Sequence, residues 1–147
     1  DFEKISSLKW QYLAARGPTS TGYAVRSVYI SGKKAALLMH RFILGLAIGK
    51  IPEVDHRDGN GLNNQKSNLR VASRLQNARN RVRNYTNQSG FKGVSWHKQR
   101  NKWIVAIRQS GKRKHLGLFD NKIRAAIVYD KACRKEYGDF AKCNFPK

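Results

Sequence analysis

Between Asp58 and Ser67 the chain is crowded with glycine and asparagine and holds few apolar residues. Such a stretch has no face to bury and must be a loop. An apolar, proline-containing approach precedes it, Ile51-Pro52-Glu53-Val54, and ends in Asp55-His56. Behind it, Asn68-Leu69-Arg70-Val71-Ala72 reads as a short returning strand. Ser73-Arg74-Leu75-Gln76 then matches a capping box, with Ser at the N-cap and Gln three residues on. It starts a helix expected to run to about Val82. Asn77 falls one residue past the box, in the first turn, where its side chain can point back at the hairpin. Everything else in the chain is arranged around this strand-loop-strand-helix run.

Upstream, Asp1 to Ala15 begins as a possible helical turn, and Trp10-Gln11-Tyr12-Leu13 alternates as a strand does. Gly17 to Gly22 is a loop by composition. Tyr23 to Ile30 alternates and is rich in β-formers, Ser31-Gly32-Lys33-Lys34 is a hairpin-like turn, and Ala35 to Met39 begins the return. His40 to Leu46 has helical apolar spacing that stops at glycines. Here His40 is expected to pack on the hairpin and Arg41 to meet a phosphate or a carboxylate.

From Phe91 the period switches to two. Phe91 to Trp96, Lys102 to Arg108 and Lys114 to Phe119 read as strands, and Asp120-Asn121-Lys122 caps a helix with apolar positions Ile123, Ala126, Ile127, Val128, Tyr129, Ala132 and Tyr137. The expected product is a three-stranded antiparallel sheet packed on one helix. The organisation that follows is α+β, with a first domain over residues 1–80, a basic Asn-rich linker over 81–88, and a second domain over 89–147.

Charge narrows the partners. The chain of 147 residues carries 30 Lys and Arg against 9 Asp and Glu, a net +21. Residues 1–80 hold 13 basic and 5 acidic side chains, +8, and residues 81–147 hold 17 and 4, +13. An excess of this size argues for a polyanion, because each phosphate neutralised releases counterions and strengthens binding. Enzymes of small metabolites rarely look like this; a ribosomal or nucleic-acid-coating protein does. Cys133 and Cys143 form no CxxC and have no histidine at zinc-ligand spacing, so no structural zinc is expected, and Cys133 reads as a small buried core residue. The longest uncharged run, Phe42 to Gly49, falls short of the roughly 18 residues a membrane span needs. With no signal-peptide pattern either, a soluble cytoplasmic protein is expected. The opening on Asp1 rather than Met suggests a piece of a longer protein.

Asp55, His56, Asn68 and Asn77 carry chemistry. Hydrolysing a phosphodiester needs an activated water, stabilisation of charge on the phosphate, and help for the departing 3′ oxygen, and one divalent ion supplies the last two. Hard oxygen ligands suit Mg²⁺, which keeps several waters and takes one or two protein side chains; Asp55 and the amide oxygen of Asn77 make such a pair. A histidine titrating near neutrality suits water activation, and Asn68 could accept a hydrogen bond from the other nitrogen of the His56 ring. Taken alone, an Asp-His pair before a loop is more often a capped turn.

Spacing and order speak for the chemistry. Met39-His40-Arg41, Asp55-His56-Arg57-Asp58-Gly59-Asn60, Leu62-Asn63-Asn64, Asn68-Leu69-Arg70 and Gln76-Asn77 fall in an order that resembles the HNH homing endonucleases of phages and introns, over roughly residues 10 to 80. The resemblance implies a ββα-metal (His-Me finger) fold clasping one Mg²⁺ or Mn²⁺ ion per active site. It implies His56 as general base, Asp55 and Asn77 as metal ligands, and Asn68 as the residue orienting His56, with Asn63 and Asn64 as competitors for that last role. Asn77 stands where the family often has His, as in its phage-type members.

Ser89-Gly90-Phe91-Lys92-Gly93-Val94-Ser95-Trp96, Lys102-Trp103, Ala106-Ile107-Arg108 and Lys114-His115-Leu116-Gly117-Leu118-Phe119-Asp120 resemble the AP2 DNA-binding domain over residues 87 to 147. Alternation turns Val94, Trp96, Trp103, Val105, Ile107, Leu116 and Phe119 toward the helix. The other face carries Ser95, His97, Ala106, Arg108, Arg113 and His115, with Lys92 and Lys102 nearby. The resemblance implies that this face lies in the major groove of double-stranded DNA. Ser95, Ala106 and His115 depart from the plant pattern, so no target sequence carries over.

The sequence thus predicts a metal-dependent, homing-type DNA endonuclease tethered to a sheet-based DNA-binding module, a monomer with no obligate protein partner and no membrane association. Its rivals are an AP2-type transcription regulator with an inactive nuclease fold, and a basic RNA-binding or ribosomal protein.

Overall fold

The computed structural model describes residues 2–17, 20–49, 51–81 and 86–145. The chain divides into two compact units, Asp1–Ala78 and Arg79–Lys147. Of the expected linker and of the end of the preceding helix, residues 82–85 lie outside the described residues.

The first unit opens with a short helix, α1 (Phe2–Ser6), and a three-stranded antiparallel sheet in the order β1 (Gln11–Leu13), β2 (Tyr23–Ile30), β3 (Lys33–Leu38). The turn between β2 and β3 is Ser31-Gly32, both at positive φ (47° and 76°). Two left-handed residues give a hairpin turn whose twist matches that of the strands. Helix α2 (Met39–Ile43) follows β3 directly. A two-stranded hairpin comes next, β4 (Glu53–His56) against β5 (Leu69–Ala72), in the register Glu53↔Ala72, Val54↔Val71, Asp55↔Arg70, His56↔Leu69.

Helix α3 (Arg74–Asn80) starts where the capping box places it. The Ser73 amide donates to Gln76 Oε1 at 2.8 Å, and the Gln76 amide donates to Ser73 Oγ at 3.3 Å. The interior of this unit is unusual. Leu69 and Ala72 are its buried apolar side chains, whereas His40, Arg41, Asp55, His56 and Asn68 are buried polar ones. Polar groups withdrawn from water are costly unless hydrogen-bonded, so this centre depends on specific bonds as well as on ring packing.

The second unit is an antiparallel sheet, β6 (Val94–His97), β7 (Lys102–Gln109) and β8 (Lys112–Phe119), covered by α4 (Lys122–Tyr137). Asn121 caps α4, its side-chain oxygen accepting from the Ile123 and Arg124 amides at 2.8 and 3.1 Å. The core comprises Val94, Val105 and Ile107 from the sheet and Ala125, Ala126, Tyr129, Cys133 and Tyr137 from the helix. Ile123 and Ile127, expected inside, are about half exposed (48% and 53%). Ala125 and Ala126 take the buried positions beside them, together with Tyr129, Cys133 and Tyr137. Gly93 makes room for the Tyr129 ring: a Cβ there would fall 1.9 Å from it, at a φ of +76° that only glycine adopts without strain.

Cys133 is wholly buried, as its helical position implied. Trp96 faces α4 by register but stays 45% exposed on the edge strand, edge-on to Trp103 at 4.9 Å. Asp130, also buried, accepts from the amides of Asn144 and Phe145 at 2.8 Å each and so ties the C-terminal segment to α4. No described helix is long and apolar enough to cross a membrane.

Candidate active site and nucleic-acid face

Asp55 and His56 end β4, and alternation sends them to opposite sides of the hairpin. Asp55, 3% exposed, meets its cross-strand neighbour Arg70, whose Nε lies 2.7 Å from Asp55 Oδ2. Glu53 shares the Asp55 side of the strand, and its Oε2 accepts from Asn77 Nδ2 at 2.7 Å. A carboxylate oxygen only accepts, so that bond fixes which end of the amide faces Glu53 and leaves the Asn77 oxygen on the other arm. Asp55, Glu53 and Asn77 therefore offer hard oxygen donors from one side of the hairpin and the first turn of α3. Glu53 had a signal in the sequence, standing two residues before Asp55 on the same strand face.

On the other side, His56 packs in an aromatic corner. The rings of His40 and His56 stand edge to face at 5.1 Å between centroids, with Tyr23 5.5 Å from His40 and 6.0 Å from His56. Burial lowers the His56 pKa below 6.5, against the opposing pull of the Asn64 hydrogen bond and of Asp58 and Asp55, so the ring is neutral at physiological pH. His40 is pushed down to about 4, by burial first and then by His56 and Arg41. Arg41 is engaged differently from the phosphate or carboxylate contact expected of it. Its guanidinium donates to the carbonyls of Ala47 (2.8 Å), Pro52 (2.6 Å) and Ile51 (3.4 Å), shaping the approach to β4.

This corner makes the fold acid-sensitive. Between pH 6.5 and about 4 the unfolded chain takes up a proton at residue 40 that the folded chain refuses, so stability falls as pH falls through that window. The His40 contribution is expected to drop by about 2 kcal/mol between pH 7.5 and pH 5, since each pH unit inside the window costs ~1.36 kcal/mol. Urea unfolding at the two pH values measures it, and His40→Asn should flatten the dependence.

Asn68 does not reach the His56 ring in the way expected. Its oxygen accepts from the Asp58 amide at 3.1 Å, while its Nδ2 donates to Asp58 Oδ1 at 3.0 Å and to the Asn63 carbonyl at 2.8 Å. Asp58 also accepts from the Asn60 amide (2.8 Å) and from Asn63 Nδ2 (2.7 Å). Its slight burial pushes the carboxyl upward, but these hydrogen bonds outweigh that and hold its pKa below the ordinary range. Asn68 and Asp58 thus brace the loop that leaves His56. The asparagine at the ring is Asn64, whose Oδ1 lies 3.4 Å from His56 Nε2.

In the second unit the register Ser95↔Ile104, His97↔Lys102, Ala106↔His115 and Arg108↔Arg113 puts Ser95, His97, Lys102, Arg108, Arg113 and His115 on the sheet face away from α4. Ser95, Arg108, Arg113 and His115 are exposed there. Ile104 and Leu118, not among the residues expected on this face, pair between them as an apolar strip. Lys102 pairs with Asp120 at 3.2 Å on the surface, a bond that solvent makes weak and exchangeable. Lys92 departs from the expectation: its Nζ donates to the carbonyls of Arg79 (2.6 Å) and Arg81 (2.7 Å), and burial lowers its pKa. It serves the backbone rather than a phosphate.

A neutral histidine and hard oxygen donors on adjacent residues of one hairpin and the helix that follows it are the side-chain types that metal-assisted phosphodiester hydrolysis uses, and the class they point to is that of a nuclease. Comparison with known proteins gives the same class. A family model described as HNH endonuclease matches residues 37–79. The chain is 34% identical over 144 residues to an uncharacterized HNH endonuclease of Acanthamoeba polyphaga mimivirus, covering 95% of this chain and 68% of that protein. It is 36% identical over 99 residues to Protein 3.8 of Escherichia phage T7, covering 65% of this chain and 81% of that one. The chain belongs to the HNH endonuclease family. A stretch of 61 residues is 44% identical to dehydration-responsive element-binding protein 2D of Arabidopsis thaliana, 39% of this chain and 28% of that protein. No solved structure matches the chain.

Proposed function

We propose that the first unit is a divalent-cation-dependent DNA endonuclease of homing type, with a ββα-metal hairpin and helix, and that the second is an AP2-like module holding double-stranded DNA on its open sheet face. The observation that carries the reading is a buried His56 kept neutral next to Asp55, with Asn77 presented from the following helix. Among the described residues no three His, Cys, Asp or Glu cluster as a metal cage. Mg²⁺ needs no such cage, since it keeps most of its waters and takes one or two carboxylates. The Asp55 carboxylate and Asn77 amide oxygen fit it. When bound there, the ion supplies positive charge to the scissile phosphate and to the departing 3′ oxygen.

His56 takes the proton from the attacking water. An amide oxygen only accepts, so the Asn64 contact favours a proton on Nε2 and makes Nδ1 the nitrogen that works as base. Asn68 and Asp58 hold the loop that fixes where the ring stands. Glu53 engages the Asn77 amide nitrogen, so the Asn77 oxygen is the end left for the ion. One chain carries one such site, so a monomer nicking one strand is the expected product.

The similarity to a plant protein named for element binding supports DNA as the ligand of the second unit. The net charge of the chain supports it independently. The test is supercoiled plasmid incubated with the protein, with and without Mg²⁺ or Mn²⁺. Nicked circles forming only with the cation are expected. Plasmid left intact by a protein that still retards DNA would favour the rival reading, a DNA-binding regulator on an inactive nuclease fold.

A further inference from the structure

Asp55, the one acid of the proposed ligand pair, is already occupied by a cation. Two guanidinium nitrogens of Arg70, Nε and Nη2, converge on the single oxygen Oδ2, and both side chains are nearly buried, 10% and 4% exposed. A guanidinium does not deprotonate, and a buried carboxylate is unstable without a partner. The pair is therefore a stable state of the cation-free site. The two residues are directly opposed across β4 and β5, so the pair is made by side chains alone and is no part of the backbone ladder. A divalent ion drawn to the same carboxylate repels the guanidinium at contact distance, where two positive charges in a poorly hydrated site interact strongly.

We propose that Arg70 is a built-in counter-ion for Asp55, a positioning residue that a divalent cation must displace to load the site. The inference rests on the reading of Asp55 as a ligand. Arg70 pairs with the Asp55 carboxylate and holds it in place while no cation is present, and lowers the affinity of the free protein for the cation. The displaced guanidinium has the planar fork that suits a phosphate oxygen.

Titrating Mn²⁺ into the full chain, without DNA, by calorimetry or by electron paramagnetic resonance of the free ion tests this. Arg70→Gln is expected to bind Mn²⁺ at least about tenfold more tightly than wild type, because the competitor is gone, and Arg70→Lys to fall between them. Mn²⁺ should also raise the melting temperature of Arg70→Gln more than that of wild type. A merely structural role for Arg70 moves neither quantity in this direction. Asp55→Asn separates the two levels of the argument. If Asp55→Asn loses Mn²⁺ binding but Arg70→Gln and Arg70→Lys bind it no more tightly than wild type, the counter-ion role is overturned while the ligand assignment stands. If Asp55→Asn binds Mn²⁺ as wild type does, the ligand assignment itself fails. Should Arg70→Gln not fold with or without Mn²⁺, the Arg70→Lys affinity decides alone, tighter supporting the proposal and unchanged overturning it.

Discussion

His56→Ala is expected to slow plasmid nicking by roughly 10²- to 10⁴-fold, the range a positioned general base supplies, while leaving DNA retardation intact. The size follows from the role: without the imidazole, a water attacking the phosphate has to lose its proton to solvent. Binding is spared because the ring is buried in the corner made by His40 and Tyr23 and contributes no charge at neutral pH. Acidity gives an independent check. Burial lowers the His56 pKa, so the neutral base persists to lower pH than an exposed histidine near 6.5 would allow. The acid limb of the wild-type rate should lie below pH 6.5, measured over the pH range in which circular dichroism shows the unit folded. Cleavage by His56→Ala at the wild-type rate would remove the base assignment. Equal loss of cleavage and DNA retardation would mean that the variant had unfolded.

Much of this site was legible because its determinants are local. Ser73 and Gln76 announce a helix by spacing alone, and they form the reciprocal bonds that spacing requires. Asp55-His56 before a Gly/Asn loop and Asn77 after the box define the hairpin and its helix without knowledge of the rest of the chain. The open sheet face was legible for a similar reason. A strand has period two, and the residues expected on one face pair across β6, β7 and β8 in register.

What escaped depends on distance or on competition. Tyr23 stands against His56 although 33 positions separate them, and no local pattern announces such a contact. Asn64, Asn63 and Asn68 are chemically equivalent; only the folded loop decides that Asn68 braces Asp58 while Asn64 meets the ring. Lys92 looks like any surface lysine, yet its ammonium lies against two carbonyls. In α4, hydrophobicity favours Ile123 and Ile127 for the core, but the fold turns both about half outward and buries Ala125 instead, which only the packed helix decides.

The second large effect concerns salt. If the open face and the rest of this +21 chain make about six phosphate contacts, raising salt from 50 to 200 mM should weaken duplex binding roughly 10³-fold, since log K falls by ~0.9 per contact for each tenfold rise. Arg108 and Arg113 are the residues through which to test it. They lie directly opposite one another on β7 and β8, and like charges in that position destabilise a sheet unless an anion sits between them. Folding and binding therefore make opposite demands on the pair. Arg108→Ala with Arg113→Ala should lower duplex affinity and reduce the salt slope by about two if both meet phosphates. The same double variant should melt at an unchanged or higher temperature, because a repulsion has been removed from the free sheet. If instead one arginine reads a base edge, its single substitution should cost about 1–3 kcal/mol on the preferred sequence alone and leave the slope nearly as it was. Fluorescence anisotropy with a labelled duplex at several salt concentrations, paired with thermal unfolding, gives both quantities on the same proteins. A double variant that binds duplex with wild-type affinity and slope would show that DNA does not lie on this face.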